Sequence, residues 1–310
     1  MSSLAARLLY WIIAALGHLP WAWLNRAGDG IAALWRRLDA REARVARRNL
    51  ELAYPQLAAG EREQLQRTIL ATTARQTLET LRFWTCPRTR NLALIREQHG
   101  VDLFDAALAS GRGLIVAAPH HGNWELLNQW LASRTPLAIL YRPPESAIGE
   151  AFLQRVRADD AGRVTQVRAD GGAVRQLLKL LKAGGVVGIL PDQQPKAGDG
   201  EFAPFFGVPA LTMTLLPRLA ARTDAIVLFA WCERIGADPD TGAPLFALNI
   251  EPAPAELSAP DPVTGVHALN AAVEAIASRD PAQYQWTYKR YTLRPPGSGE
   301  RNPYRDLERH

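Results

Sequence analysis

From Gly113 onward, short apolar runs alternate with stretches whose apolar residues recur at helical spacing. The runs predict strands at 113–118, 137–142, 163–167, 186–190, 225–231 and 245–251. The periodic stretches predict helices at 122–133, 146–158, 171–183, 211–222 and 265–279. Alternation at this spacing predicts an α/β fold, a mainly parallel sheet flanked by helices. Before Gly113 the pattern is helical. Residues 60–84 form an amphipathic helix with Leu65, Ile69, Thr73, Leu78, Leu81 and Phe83 toward one side, and Val101 to Ser110 is a short helix. This divides the chain into hydrophobic and basic helices at 1–55, an α/β domain at 56–295, and an irregular tail at 296–310 rich in Pro, Gly and charge.

Residues 4–24 are the most membrane-like segment. Arg7, His18 and Pro20 interrupt it, so the clean apolar run is Leu8 to Leu16. That is shorter than the roughly 20 residues a spanning helix needs. Tyr10, Trp11, Trp21 and Trp23 suit a membrane interface, and Arg36, Arg37, Arg41, Arg44, Arg47 and Arg48 follow closely. The segment reads as an embedded or interfacial helix pair with a basic cytoplasmic shoulder; a tilted span or a helix packed on the domain are the alternatives. No small-residue cleavage site with a polar flank follows it, which argues against a signal peptide.

Charge sharpens this. The net charge of the 310 residues is +5, and the first fifty residues account for it, with eight arginines against Asp29, Asp39 and Glu42. Such a surface suits an anionic partner: nucleic acid, an acidic carrier protein or a membrane surface. Cys86 and Cys232 are too few and too far apart for a disulfide framework or zinc site, which points to a reducing compartment.

The candidate chemistry lies where the first apolar run ends, in Pro119-His120-His121-Gly122-Asn123-Trp124-Glu125. Pro119 stops a strand, and an apolar-periodic run with Leu126, Leu127, Trp130 and Leu131 follows. His120 thus sits at the carboxyl end of a strand, where open α/β sheets place their chemistry. Glu125 lies in the first helical turn, where its carboxylate can fold back to the imidazole; His121 to Glu125 is also a workable spacing. A neutral imidazole backed by a carboxylate takes a proton from an alcohol. With no serine or cysteine nucleophile beside the pair, the substrate supplies the hydroxyl. The plainer alternative is a loop histidine and a glutamate serving the helix dipole. The phosphate loop of nucleotide-binding enzymes and the nucleophile elbow of serine hydrolases are both absent from the sequence.

Two further strand ends resemble this one. Leu140-Tyr141-Arg142-Pro143 closes the second strand, and Leu190-Pro191-Asp192-Gln193 closes the fourth. Taken alone, Arg142 is an exposed arginine and Asp192 an ordinary turn residue.

Pro119 to Glu125 resembles the His-x4-Asp/Glu motif of glycerolipid-type acyltransferases. More narrowly it resembles that of the bacterial lipid A late acyltransferases, the lauroyl and myristoyl transferases. Arg44 to Pro55, Tyr141-Arg142-Pro143, Asp192-Gln193, Phe202 to Gly207, Thr212 to Ala220, Pro281 to Trp286 and Lys289-Arg290-Tyr291 fall in the same family order. The resemblance covers roughly residues 30–295. It implies an O-acyltransferase at the cytoplasmic face of the cell inner membrane, moving a fatty acyl group from acyl carrier protein to a hydroxyl of a lipid A precursor. His120 is then the general base, Glu125 orients and charges its ring, and His121 takes a variable position. Arg142, Asp192, Gln193, Asn123 and Gly122 are then substrate-binding. The oxyanion falls to Arg142 or to backbone N–H groups near Gly122 and Asn123. Asp192 either orients Arg142 or completes the site's hydrogen bonds. No metal or bound cofactor is required. Phe205 and Phe206 either line an acyl tunnel or pack as core, and Lys289 and Arg290 either meet phosphate or form a solvated basic face. The alternatives are an acyltransferase for another lipid or glycolipid acceptor, and a non-catalytic membrane-associated binding protein on the same fold.

Overall fold

The computed structural model describes residues 2–141, 144, 146–157, 162–169 and 172–308. Four helices come first: α1 (Ser2–Gly17), α2 (Trp21–Arg37), α3 (Arg41–Ala53) and α4 (Ala59–Phe83). Pro20 separates the first two, and Tyr54-Pro55 stops the third. The Glu61 carboxylate accepts from the Ala58 N–H at 2.8 Å and fixes the start of α4. None of the described helices is long and apolar enough to cross a membrane. Short α5 (Arg88–Leu92), β1 (Ile95–His99) and α6 (Val101–Ala109) lead into the α/β alternation.

That alternation runs β2 (Leu114–Ala117), α7 (Trp124–Arg134), β3 (Leu137–Tyr141), α8 (Ala147–Val156), β4 (Val164–Arg168), α9 (Ala173–Lys182) and β5 (Val186–Ile189). A hairpin follows, β6 (Gly200–Phe205) and β7 (Val208–Met213). Then come α10 (Leu215–Thr223), β8 (Ile226–Ala237), β9 (Pro244–Pro252) and α11 (Pro262–Arg279). The main sheet has seven strands in the order β1-β9-β8-β2-β5-β3-β4, parallel except for β8 against β9. The expected α/β class and mainly parallel sheet are therefore present.

Alternate residues of β2 face two separate cores. Ile115 and Ala117 join the core built with Leu177 and Leu181 of α9, Leu216 and Leu219 of α10, and Val273 and Ile276 of α11. Leu114 and Val116 join the core built with Phe104 of α6 and Leu126, Leu127 and Trp130 of α7. The chain leaving β2 thus covers one face of the sheet, while the chain leaving its neighbour β5 covers the other. A crevice opens between their carboxyl ends, the position where open α/β sheets bind ligands.

Two elements differ from expectation. The helix expected from residue 211 begins at Leu215, because 208–213 is the strand β7. The β6–β7 turn is Phe206-Gly207, both at positive φ (50° and 73°). A phenylalanine gives no hairpin signal at such a turn. Here its ring packs 5.2 Å from Tyr54 and 5.1 Å from Trp286, which offsets the backbone strain. The edge strand β1 also escapes a hydrophobic pattern, since only Ile95 of its five residues is buried.

Candidate active site

β2 and β5 pair in parallel, Leu114 with Val186 through Ala117 with Ile189. Pro119 and Pro191 follow both strands at matching positions and end the ladder, since proline donates no hydrogen bond. The next residue on each chain is therefore brought side by side. His120 Nδ1 lies 2.8 Å from Asp192 Oδ1, and the His120 backbone N–H donates to Asp192 Oδ2 at 2.9 Å. Both side chains are buried, the imidazole with a small exposed portion at the cavity described below.

Burial acts to raise the Asp192 pKa. The His120 charge, its ring and backbone hydrogen bonds, and the charge of Arg290 outweigh burial and hold the carboxyl below its ordinary value. An ionised Asp192 accepts from Nδ1–H, which leaves Nε2 as the basic nitrogen. Tyr284 stands behind this carboxylate. Burial first, and then the Asp192 charge, keep its phenol protonated.

Nε2 faces Gln193, whose amide nitrogen lies 3.2 Å away and also donates to Gln285 Oε1 at 3.1 Å. The Trp124 ring lies edge-on to the imidazole, 4.8 Å between centroids. Beyond them opens a cavity of about 800 Å³. Ile139, Leu140, Leu153, Val174, Leu178 and Leu190 supply much of its apolar wall. Arg157, Lys196, Arg218 and Arg222 line it too, with Asp199. This combination of an apolar cavity with a few convergent polar groups is that of a ligand site.

The structure brings His120, Asp192 and Gln193 together and gives Glu125 another partner. The carboxylate expected on the imidazole was that of Glu125; the one found there is that of Asp192. Glu125 is buried at the start of α7, and its Oε1 accepts from Arg157 Nε at 3.1 Å and from Nη2. The chain is still extended at Asn123 and turns helical only at Trp124, whose ring occupies the flank of the imidazole. Arg157, which sequence reasoning did not single out, is thereby held on the cavity wall.

His121 is fully buried, and neither ring nitrogen has a hydrogen-bond partner among the described residues. Desolvation pushes its pKa down to about 4, against smaller opposing effects of Asp280 and Asp192. The alternative spacing of His121 to Glu125 therefore offers no accessible base.

Gly122 and Asn123, expected on substrate, do structural work. The Gly122 N–H donates to Gln283 O at 3.1 Å and the Asn123 N–H to Cys232 O at 2.8 Å, so neither is free for an oxyanion. Gln76 of α4 donates to the Gly122 carbonyl. Asn123 is buried and caps α7, its Oδ1 accepting from the Leu126 N–H at 3.1 Å. Arg142 lies outside the described residues.

Phe205 and Phe206 take the packing role rather than lining the cavity. Phe205 is buried against Tyr284 and Tyr291. Arg290 is neither on substrate nor solvated: it is buried and donates to Leu211 O at 2.6 Å and to Thr212 Oγ1 at 2.5 Å. Among the described residues, no group of three or more His, Cys, Asp or Glu gathers as a metal site.

Residues 3–292 match the family described as bacterial lipid A biosynthesis acyltransferase. A lipid A biosynthesis lauroyltransferase of Escherichia coli (strain K12) is 27% identical over 292 residues, covering 93% of this chain and 90% of the relative. A lipid A biosynthesis palmitoleoyltransferase of the same organism is 26% identical over 280 residues, 90% of this chain and 88% of the relative. A phosphatidylinositol mannoside acyltransferase of Mycobacterium tuberculosis (strain ATCC 25618 / H37Rv) is 51% identical over 35 residues, 11% of each chain.

Proposed function

The chain belongs to the bacterial lipid A biosynthesis acyltransferase family, and from that premise we propose that it moves a fatty acyl group from acyl carrier protein to a hydroxyl of a lipid A precursor at the cytoplasmic face of the inner membrane. The observation that carries this reading is the His120–Asp192 pair at the β2/β5 crevice, opening on a largely apolar cavity. His120 Nε2 takes the proton of the acceptor hydroxyl as its oxygen attacks the thioester carbonyl. Asp192 fixes the tautomer and stabilises the imidazolium. Collapse of the tetrahedral intermediate breaks the carbon–sulfur bond, and the imidazolium returns the proton to the departing thiolate. Glu125 acts through Arg157, which it holds on the wall of the cavity.

Charge supports an acidic carrier as donor. Arg175, Lys179 and Lys182 of α9 and Arg218 and Arg222 of α10 are exposed, and neither helix carries an acidic residue. The two helices pack together, and Lys196, Arg218 and Arg222 reach the cavity itself. A carrier delivering its acyl chain there meets a complementary surface.

Exposed apolar residues support the membrane. Leu8, Trp11, Ile12, Leu16 and Leu19 on and after α1 are exposed, with Trp23, Leu34 and Leu38 on and after α2; Trp11 and Trp23 show more than 60% of their surface. An in-plane attachment by α1 and α2 fits their length better than a span. The local match to the mannoside acyltransferase favours one second reading, the same transfer onto another glycolipid.

The test is purified protein with acyl-carrier thioester and lipid A precursor, read by mass spectrometry. A gain of one acyl mass on the precursor is expected. No gain on any lipid or glycolipid acceptor, with a folded protein, overturns the proposal.

A further inference from the structure

Building on the acyl-transfer reading, we propose that Gln193 is the oxyanion donor of this site, held ready by Gln285. The hydrogen-bond assignment around Gln193 has one consistent form. Asp192 accepts from Nδ1–H, so Nε2 presents a lone pair, and the Gln285 Oε1 oxygen presents another. The Gln193 side-chain nitrogen lies between these two acceptors, at 3.2 and 3.1 Å. Its two N–H groups satisfy both; the flipped amide would set an oxygen against two lone pairs. In the resting site Gln193 therefore caps the nitrogen that must act as base.

The acceptor hydroxyl has to take that nitrogen for itself. When its O–H turns to Nε2, one Gln193 N–H loses its partner while the other stays on Gln285. The freed N–H remains within hydrogen-bond reach of the incoming oxygen and of the carbonyl it attacks. In the tetrahedral step the new carbon–oxygen bond forms, the hydroxyl proton goes to Nε2, and the carbonyl π pair moves onto its oxygen. That oxygen then accepts from Gln193. A hydrogen bond that strengthens as charge develops on that oxygen contributes to kcat rather than to binding.

The four backbone N–H groups nearest the base are committed. The backbone N–H groups of His120, His121, Gly122 and Asn123 go to Asp192, Pro119, Gln283 and Cys232. Gln285 is also well placed as the anchor. Its own backbone N–H donates to His120 O at 3.0 Å, so one residue fixes both the base and the amide beside it.

The experiment is steady-state acyl transfer with a soluble acyl thioester and the lipid acceptor, with folding of each variant checked by circular dichroism. Gln193→Leu should lower kcat about 100-fold, with both KM values nearly unchanged. Gln193→Glu keeps the shape but places an anion where charge develops, so it should lose more than the leucine. Gln285→Leu should lower kcat by a smaller factor, and adding it to Gln193→Leu should cost nothing further, since the substitution leaves the backbone bond to His120 in place and the Gln285 side chain acts only through the amide. The inference is overturned if Gln193→Leu keeps kcat within threefold of wild type. A loss that falls in KM, or a glutamate variant more active than the leucine, also overturns it. Wild-type protein that transfers no acyl group counts against the acyl-transfer reading itself, whereas active wild type with unimpaired Gln193→Leu counts against this inference alone.

Discussion

His120 and Asp192 are 72 positions apart in the chain, and that is the offset at which β2 pairs with β5. The dyad is the strand register carried past the end of the ladder. Ala118 N still bonds Ile189 O at 2.9 Å, the two prolines come next, and then the two functional side chains meet. The geometry is therefore set by the two most buried strands of the sheet, not by the loop that holds His120.

This placement separates the two carboxylates that follow from the sequence. Asp192→Asn removes the group that selects the tautomer, and kcat should fall by about 10²–10⁴ with KM nearly unchanged. Glu125→Gln strips Arg157 of its partner and should cost about 2 kcal/mol of stability together with catalytic efficiency. Adding Arg157→Met to it removes the unpaired cation and should recover stability. Urea unfolding and kinetics on the three variants decide the matter. If Glu125→Gln lowers kcat as far as Asp192→Asn at full stability, the imidazole answers to Glu125 after all.

The sequence located His120, Asp192 and Gln193 by one rule: an apolar run, a stop, then a polar residue. It did not reveal which of them touch, because contact depends on sheet order. β5 lies beside β2 although β3 and β4 intervene in the chain, and nothing in local periodicity encodes that. Along the chain Glu125 is the nearest carboxylate, and proximity in sequence is the only proximity a sequence displays. The burial of Arg290 is hidden for the same reason. Its burial comes from β7 and Asn270 of α11, which meet it only in the fold.

The close approach at Gly122 should be the least tolerant point of the active-site turn. Its φ is +60°, and a Cβ there would lie 1.9 Å from the Cys232 carbonyl oxygen. Gly122→Ala should cost about 3 kcal/mol or more and displace the His120 turn. Gly207 has a similar φ of +73° but open space around it, so Gly207→Ala should cost only about 1 kcal/mol. Denaturant midpoints of the two variants measure the contrast, and equal losses would show that the carbonyl contact does not matter.

The basic helices α9 and α10 make a prediction about the donor. Arg175→Glu with Lys179→Glu should raise KM for a carrier-bound acyl donor at least tenfold and steepen with falling salt. The KM for acyl-pantetheine, which has no acidic surface, should stay the same. Equal KM for both donors in wild type and variant would remove the carrier from this face.

His121 makes a prediction about acid stability. Folding holds its pKa at about 4, against an ordinary value of 6.5. Between those values the unfolded chain takes up a proton that the folded one refuses, so stability falls as pH falls. The loss is roughly 2 kcal/mol by pH 5 and roughly 3 kcal/mol in full. Asp192 does not contribute in this window, because its carboxyl is depressed below its ordinary value of 3.8 and its stabilisation is lost only as pH falls through that lower value. His121→Phe keeps the ring shape at a place where neither nitrogen is hydrogen-bonded, so near pH 7 its stability should lie within about 1 kcal/mol of wild type. At pH 5 it should be the more stable protein. Urea unfolding at pH 7 and pH 5 tests this, and an unchanged difference between the two pH values in His121→Phe would show that another group carries the acid loss.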